Sequence, residues 1–287
     1  MCECIGMCEL VVIRVPLVPS EMANKRAVCV FTIVRDEPVF LPIWYRYYSA
    51  HFEADDIYVL HHVVPSDAKK DTCTADLPCN VVEVANEFFD PAWLRHVVSE
   101  HQAALLNKYE AVLFAEVDEI VLPDMSQLAS QGLRHYLEGF ADREFTADAT
   151  PSVRCVGWEL HHEFSSEPAV DLSRPLLPQR RSWHRNELYD KALLTRAPLT
   201  YSLGFHTCEE RTTRDDSLLL LHLHKYDFQA YLRRHEQRAA MTHSEEAISK
   251  GWNRHYRSTG PQLLAQYMQT PQPLEPIPEW LRNAALV

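Results

Sequence analysis

The segment Val112-Leu113-Phe114-Ala115-Glu116-Val117-Asp118-Glu119-Ile120-Val121 joins an apolar run to a cluster of carboxylates. The apolar half is typical of a strand that is buried on both faces of a parallel sheet. Three carboxylates follow within four residues, and their repulsion and desolvation are unfavourable unless a cation or solvent compensates them. Because hard oxygen ligands suit Mg²⁺ or Mn²⁺, this segment predicts a divalent metal at the end of a strand. A solvated turn after the strand is the alternative interpretation.

Strand and helix signals alternate through the first half of the chain. Continuous apolar runs predict strands at residues 28–34, 57–60, 80–84 and 111–115. Helical spacing of apolar residues predicts one helix after Pro38 and another that is capped by Asp90 and Pro91. The apolar positions are Leu41, Trp44, Tyr45, Tyr48 and Phe52 in the first helix, and Leu94, Val97, Val98, His101 and Leu105 in the second. This order predicts an α/β fold with a doubly wound, mostly parallel sheet flanked by helices.

The second half of the chain has a different pattern. Strand signals occur at residues 153–160, 192–196, 200–205 and 218–224, and they predict an extension of the same sheet. Asp227 then caps a predicted helix, whose apolar face carries Phe228, Tyr231, Leu232, His235 and Ala239. We therefore expect an N-terminal extension at residues 1–26, one α/β domain at 27–240, and a helical and proline-rich tail at 241–287.

Composition excludes several classes of protein. The 287 residues carry a formal net charge of −12, which gives no electrostatic basis for binding nucleic acid or an anionic membrane. No apolar stretch reaches the length of about 20 residues that a membrane span needs, and the first residues lack a secretory signal, so we expect a cytoplasmic protein. With 7 glycines there is no glycine-rich phosphate loop. Cys2, Cys4 and Cys8 are closely spaced, but no Cys-x-x-Cys pair completes a metal site, and a loose tail is the simpler interpretation.

Seven segments, in this order and spacing, resemble a family-2-like glycosyltransferase of the GT-A fold. The segments are 31–37 (FTIVRDE), 41–48 (LPIWYRYY), 57–60 (IYVL), 114–119 (FAEVDE), 191–196 (KALLTR), 204–206 (GFH) and 222–226 (HLHKY). The resemblance covers residues 27 to 232. It departs from the family pattern at Glu116, where the family has Asp, and at 61–67 (HHVVPSD), where the family has Asp-Asn-x-Ser.

The resemblance implies metal-dependent transfer of a sugar from a UDP- or GDP-linked donor to a glycan, lipid-linked or small-molecule acceptor, with inversion at the sugar. The metal, Mn²⁺ or Mg²⁺, would stabilise the departing diphosphate. Its candidate ligands are Glu116, Asp118, His206 and His224. Candidate contacts to the nucleotide sugar are Arg35, Asp36, Glu37, Asp67 and Lys191. Candidate bases for the acceptor hydroxyl are Glu159 and Glu163.

Several of these residues also have simpler interpretations. Asp36 and Glu37 would be favourable at a helix N-terminus without any ligand. Lys191 could form a structural ion pair. His222 and His224 point to one face of a predicted strand, so a metal-dependent hydrolase that uses both is an alternative function. A non-catalytic binding protein of the same fold is another.

Overall fold

The computed structural model describes residues 25–67, 71–124, 132–143 and 150–283, which form a single layered α/β arrangement. The strands are β1 (Arg26–Val34), β2 (Ile57–Val63), β3 (Asn80–Ala85), β4 (Tyr109–Phe114), β5 (Glu119–Pro123), β6 (Ser152–His161), β7 (Ser182–Arg185), β8 (Ala192–Thr195), β9 (Thr213–Lys225) and β10 (Glu275–Pro276). The helices are α1 (Phe40–Tyr48), α2 (Pro91–Leu105), α3 (Leu133–Ala141), α4 (Phe228–Ala240), α5 (Glu245–Ser249), α6 (Gly260–Met268) and α7 (Glu279–Asn283). The predicted N-terminal extension lies almost wholly outside the described residues, as do Cys2, Cys4 and Cys8.

The first four strands are parallel neighbours in the order β3-β2-β1-β4. The order reverses between β1 and β4, because the chain moves outward from β1 to β3 and then returns to the other side of β1. Ligands in doubly wound sheets bind at such a switch point, beyond the carboxyl ends of the strands. The predicted fold class, an α/β sheet flanked by helices, is confirmed.

Antiparallel pairing dominates the second half of the sheet. Strand β8 joins β4 to β6, and β7 and β10 continue beyond β6. Along its other edge, β6 pairs in parallel with β9, which in turn pairs with β5. Strand β5 starts at Glu119, which is the last residue of the acidic segment (residues 116–119), and apolar spacing did not predict β5 as a separate strand. The acidic segment is therefore a tight connection between two buried strands, β4 and β5.

The strand predicted at 200–205 is wrong. Leu203–Phe205 forms a 3-10 turn, and Tyr201 makes an isolated bridge to Cys208. Gly204 has a φ of +76° and Phe205 a φ of +60°, both in the left-handed region that no strand residue occupies. The turn brings Phe205 back onto the core against Phe114, with ring centroids 5.0 Å apart. Apolar spacing alone did not separate this turn from a strand.

Helices α1 and α2 bury the faces that position β4 and β5. In α1 the phenol of Tyr47 donates to the Val121 carbonyl at 2.8 Å, and Tyr48 accepts from the Val121 amide at 3.0 Å. Helix α2 begins at its predicted cap, where Asp90 accepts from the amides of Ala92 and Trp93 at 2.8 and 3.0 Å. The two tyrosine hydrogen bonds fix α1 against β5, the strand that begins at the end of the acidic segment.

Helix α4 is capped by Asp227 as predicted, but its buried face differs from the apolar stripe. Ala239 is exposed, whereas Arg234 is 5% exposed and faces inward. A guanidinium at a buried helical position needs carboxylate partners, and these lie at the ends of β1 and β4. Helix α4 therefore packs against the core and also places a cation beside the carboxylates that follow β1 and β4.

The C-terminal residues 241–283 carry three short helices and β10, whose two residues pair with β7. Leu281 of α7 is fully buried. Among the described helices, none combines the length and the apolar character that crossing a membrane requires.

Candidate active site

Two adjoining cavities lie beyond the carboxyl ends of β1, β2 and β4. The inner cavity has a volume of about 80 Å³, and its polar lining consists of Arg35, Glu37, His62, Glu116, Asp118, Arg234 and Arg238. The outer cavity has a volume of about 640 Å³, within the range of small-molecule sites, and it is lined in part by Asp36, His61, Asp67, Asp71 and Cys73. The cavities share Arg35, His62 and Met241, so they form one continuous recess at the predicted switch point.

Arg234 is the central cation of the inner cavity. Its Nε and Nη2 donate to Oε1 of Glu37 at 3.0 and 2.8 Å, and its Nη1 donates to Oδ2 of Asp118. Arg238, one turn further along α4, lies 3.3 Å from the same Glu37 oxygen. Burial by itself raises the pKa of Asp118, but Arg234 and two histidines outweigh it and hold that pKa well below its usual range. Asp118 is therefore an ionised carboxylate with a guanidinium partner.

Lys191 neutralises the other two carboxylates of the acidic segment. Its Nζ contacts Glu116 and lies 2.6 Å from Oε1 of Glu119, and its side chain is 1% exposed. Burial opposes the charge of Lys191, but the two carboxylates outweigh that effect and raise its pKa above the usual value. The ion-pair interpretation of Lys191 is thus the arrangement observed, while contact with a nucleotide sugar stays a prediction.

A buried histidine extends this polar network across the sheet. His222 lies 3.5 Å from Oδ2 of Asp118 through Nε2 and 3.1 Å from Oε1 of Glu159 through Nδ1. Burial favours a neutral ring, but the two carboxylates raise the pKa of His222 to about 9. Tyr189 stacks on the ring at 3.9 Å between centroids. His222 is consequently a cationic bridge between two carboxylates.

The two predicted histidine ligands have different surroundings. His224 Nδ1 is 3.7 Å from Oδ2 of Asp118 and 3.1 Å from Nη1 of Arg234. Burial, reinforced by Arg234, lowers the pKa of His224 to about 4, so its imidazole is neutral. His206 instead hydrogen-bonds the carbonyl oxygen of Leu188 through Nδ1 at 2.9 Å. The structure brings Asp118 and His224 together, whereas Nδ1 of His206 is engaged by a backbone carbonyl and its role as a metal ligand stays a prediction.

Glu159 and Glu163, the candidate bases, differ in exposure. Glu159 is 3% exposed and lies 3.2 Å from His184 and 3.8 Å from Lys225, in addition to its contact with His222. Burial alone raises the pKa of Glu159, but His184 and His222 outweigh it and hold the pKa well below its usual range. Glu163 is half-buried and accepts a hydrogen bond from the Ser182 hydroxyl.

Asp36 and Glu37 do not cap α1. The residue that precedes the helix is Val39, which makes no side-chain cap, and the first turn contains no acidic residue. Asp36 has a φ of +50°, and its amide donates to Oδ2 of Asp71 at 2.5 Å. Aspartate adopts the left-handed region more readily than most residues, and the hydrogen bond to Asp71 holds Asp36 in it. The capping interpretation of both residues is wrong.

Two polar atoms at the junction of the cavities lack partners within the described residues. Nη1 of Arg35 is buried without an acceptor, and Nδ1 of His62 is buried without a donor. His62 directs Nε2 to the carbonyl oxygen of Asn86 at 2.9 Å, and burial lowers its pKa to about 4. Native proteins satisfy most buried polar atoms, so an unpaired donor and an unpaired acceptor beside a cavity indicate a polar ligand.

The sequence interpretation missed the two arginines of α4. Arg234 and Arg238 are spaced four residues apart, so they occupy one helical face. Basic residues on an otherwise polar helix usually face solvent. The buried face of α4 was predicted from its apolar residues alone, and that prediction left both arginines out. One signal in the sequence could have indicated them. Several carboxylates follow β1 and β4, and buried carboxylates need cations, which basic residues elsewhere in the chain can supply.

No protein-family model matches this chain, and no curated protein matches it. Among solved structures, the glycosyltransferase TarS of S. aureus is similar to it over 81% of this chain, with 10% sequence identity and a TM-score of 0.29. This chain spans 44% of the length of the TarS chain. A likeness at this level carries no functional argument.

Proposed function

We propose that this protein is a glycosyltransferase that moves a sugar from a nucleotide-sugar donor to a hydroxyl acceptor. One observation carries the proposal: segments far apart in sequence place Arg35, Glu37, Glu116 and Asp118 around one cavity at the switch point of the sheet. The unpaired donor of Arg35 at the mouth of that cavity supports an anionic ligand, and the unpaired acceptor of His62 supports a ligand that also carries an N–H or O–H group. The outer cavity is large enough for the nucleoside part of such a donor.

The unpaired atoms suggest how the donor would be oriented. Arg35 would donate to a phosphate oxygen, because a guanidinium is well suited to phosphate and its Nη1 is unused. His62 would accept a hydrogen bond from an N–H or O–H group of the nucleoside, because its Nδ1 carries a free lone pair. Asp36 and Asp67 line the outer cavity, where either carboxylate could accept from a ribose hydroxyl.

Glu116 and Asp118 fit a divalent cation by their chemistry, since both are carboxylates on the wall of the inner cavity. His224 offers a neutral nitrogen beside Asp118. Mn²⁺ or Mg²⁺ held there would stabilise negative charge on a departing diphosphate. Lys191 and Arg234 already compensate the two carboxylates, so the protein alone offers little net negative charge to a free cation. We therefore expect the metal to bind together with the donor diphosphate and weakly without it.

Glu163 is the better supported of the two candidate bases. A base must reach the acceptor hydroxyl and must bind a proton readily, and the lowered pKa of Glu159 works against the second requirement. The carboxylate of Glu159 is also enclosed by His184, His222 and Lys225. We assign Glu159 the role of a positioning residue that orients His222 toward Asp118.

The hydrolase alternative has less support from the geometry. A zinc hydrolase would need free nitrogens on His222 and His224. Both ring nitrogens of His222 face carboxylates, and Nδ1 of His224 lies beside the guanidinium of Arg234.

Thermal unfolding of the purified protein with UDP, GDP, CDP or ADP, each with and without Mn²⁺, tests the proposal. A ligand at 100 times its dissociation constant stabilises the native state by about 2.7 kcal/mol, which is a rise in Tm of about 5 °C for a chain of this size. We expect one nucleotide to give this shift only with metal, and Asp118→Asn to lose it.

Asp216→Asn is the matched control, because Asp216 is 69% exposed and pairs only with Arg214 among the described contacts. The control should respond as the unmodified protein does. A shift with Zn²⁺ alone would favour the hydrolase, and no shift with any nucleotide would favour a non-catalytic binding protein. Donor hydrolysis or sugar transfer measured with the selected nucleotide sugar then establishes the reaction.

A further inference from the structure

A second cluster of ligating side chains lies on the wall of the outer cavity. It consists of His61 from β2 together with Asp71 and Cys73 from the segment that follows β2. In the part of the chain that the structure describes, this is the one group of three such residues whose ligand atoms all lie within 4.8 Å of one another. All three residues line the outer cavity.

We propose that His61, Asp71 and Cys73 bind Zn²⁺ and leave its fourth coordination position open toward the outer cavity. The three side chains supply nitrogen, oxygen and sulfur, the donor types of zinc sites. A thiolate makes Mg²⁺ or Ca²⁺ unfavourable here, since these ions prefer oxygen ligands. The site is distinct from the carboxylates of the inner cavity, and it does not depend on the proposed transferase activity.

The carboxylate of Asp71 is already oriented. Its Oδ1 accepts from the Cys73 amide at 2.9 Å, and its Oδ2 accepts from the Asp36 amide at 2.5 Å. The same Oδ2 lies 3.0 Å from Nε2 of His61. Backbone amides thus fix the position of this ligand before any metal binds, which reduces the entropy cost of assembling the site.

Thr74 is placed to orient the histidine ligand. Its Oγ1 lies 3.0 Å from Nδ1 of His61, and its side chain is buried. When Nε2 binds a metal, the proton of a neutral imidazole must sit on Nδ1, and the Thr74 oxygen can accept it. Zinc-bound histidines commonly donate the second ring N–H to such a partner.

Charge balance favours the complex. On binding, the S–H bond of Cys73 breaks, the proton passes to solvent, and the sulfur donates its electron pair to the metal. One thiolate and one carboxylate then neutralise the two charges of Zn²⁺, and His61 stays neutral. A half-buried site with no net charge avoids the desolvation penalty of an isolated ion.

Cobalt substitution tests this site in the full-length, tag-free protein. Co²⁺ bound by a thiolate gives a sulfur-to-metal charge-transfer band in the near ultraviolet and tetrahedral bands in the visible. We expect both in the unmodified protein, with displacement by one equivalent of Zn²⁺. Cys73→Ser should abolish the charge-transfer band, and Cys79→Ser, which changes another half-buried thiol outside the cluster, should retain it.

Thr74→Val keeps all three ligands and supplies a second, independent measurement. Loss of an outer-shell partner of this kind weakens metal binding about 10- to 100-fold, measured by competition with a chromophoric chelator. Circular dichroism of each variant verifies that it is folded. The proposal is overturned if the unmodified protein binds no Co²⁺, or if the charge-transfer band persists in Cys73→Ser.

Discussion

Replacing Arg234 by Met is the most direct test of the buried ionic network. Methionine replaces the apolar stem of arginine but lacks the guanidinium, so Glu37 and Asp118 lose a shared cation. Removing one partner of a buried ion pair typically costs about 3 to 5 kcal/mol, because a charge is left without compensation. Arg234 also lies 4.4 Å from the ring centroid of Phe40, a cation–π contact worth about 1 kcal/mol.

The remaining partners place the expected cost at the lower end of that range. Glu37 keeps Arg238 at 3.3 Å, and Asp118 keeps His222 at 3.5 Å. We therefore expect Arg234→Met to lower the free energy of unfolding by about 3 kcal/mol. Glu37→Gln in the same chain should recover about 1 kcal/mol or more, because one of the two carboxylates that lost the Arg234 guanidinium is then neutral.

Urea denaturation followed by tryptophan fluorescence measures these differences. Arg233→Met is the matched control, since Arg233 is exposed on the adjacent position of the same helix. A surface change of this type should stay within about 0.5 kcal/mol of the unmodified protein. If Arg234→Met were as stable as Arg233→Met, the network would not hold the acidic segment and the reasoning would be refuted.

Three further substitutions test other parts of the structure. Gly157→Ala should destabilise the protein by about 1 to 3 kcal/mol or prevent folding, because the added Cβ would lie 2.5 Å from the backbone of Tyr189; an unchanged urea midpoint would contradict this close approach. Asp90→Ala should cost about 1 kcal/mol in the same assay through loss of the α2 cap, and a cost near zero would show that the cap is dispensable. Lys191→Met should allow Mn²⁺ to bind without nucleotide, because Glu116 and Glu119 lose their cation. Electron paramagnetic resonance of free Mn²⁺ measures the binding, and a folded variant that binds Mn²⁺ no better than the unmodified protein would contradict this prediction.

The parallel half of the sheet could be predicted because its signals are local. Each of β1, β2 and β4 contains a run of apolar residues, and α2 begins at a cap and a proline that are adjacent in sequence. The rule that ligands bind beyond the carboxyl ends of parallel strands then placed the polar residues that follow β1 and β4 at one site. The two clusters do line the same cavity, although neither shows in its own sequence which partner it meets.

The cations of the site could not be predicted because their partners are distant in sequence. Arg234 meets Asp118 across 116 positions, and Lys191 meets Glu116 across 75. Carboxylates after a strand are compatible with a metal, with solvent or with basic side chains, and only the tertiary structure shows that basic side chains are present. The strand prediction at 200–205 failed for another reason. The spacing of apolar residues does not show that Gly204 has a positive φ.

The bond between Glu37 and Arg234 spans 197 residues, and this separation has a consequence for folding kinetics. Closing so large a loop costs chain entropy that is recovered only once distant segments meet. We expect the strands nearest the N-terminus to collapse while their carboxylates are still hydrated, with α4 docking late. Interactions that form after the transition state govern the rate of unfolding more than the rate of folding. We therefore expect the ionic network to contribute kinetic stability: it should lower the rate of unfolding and leave the rate of folding nearly unchanged.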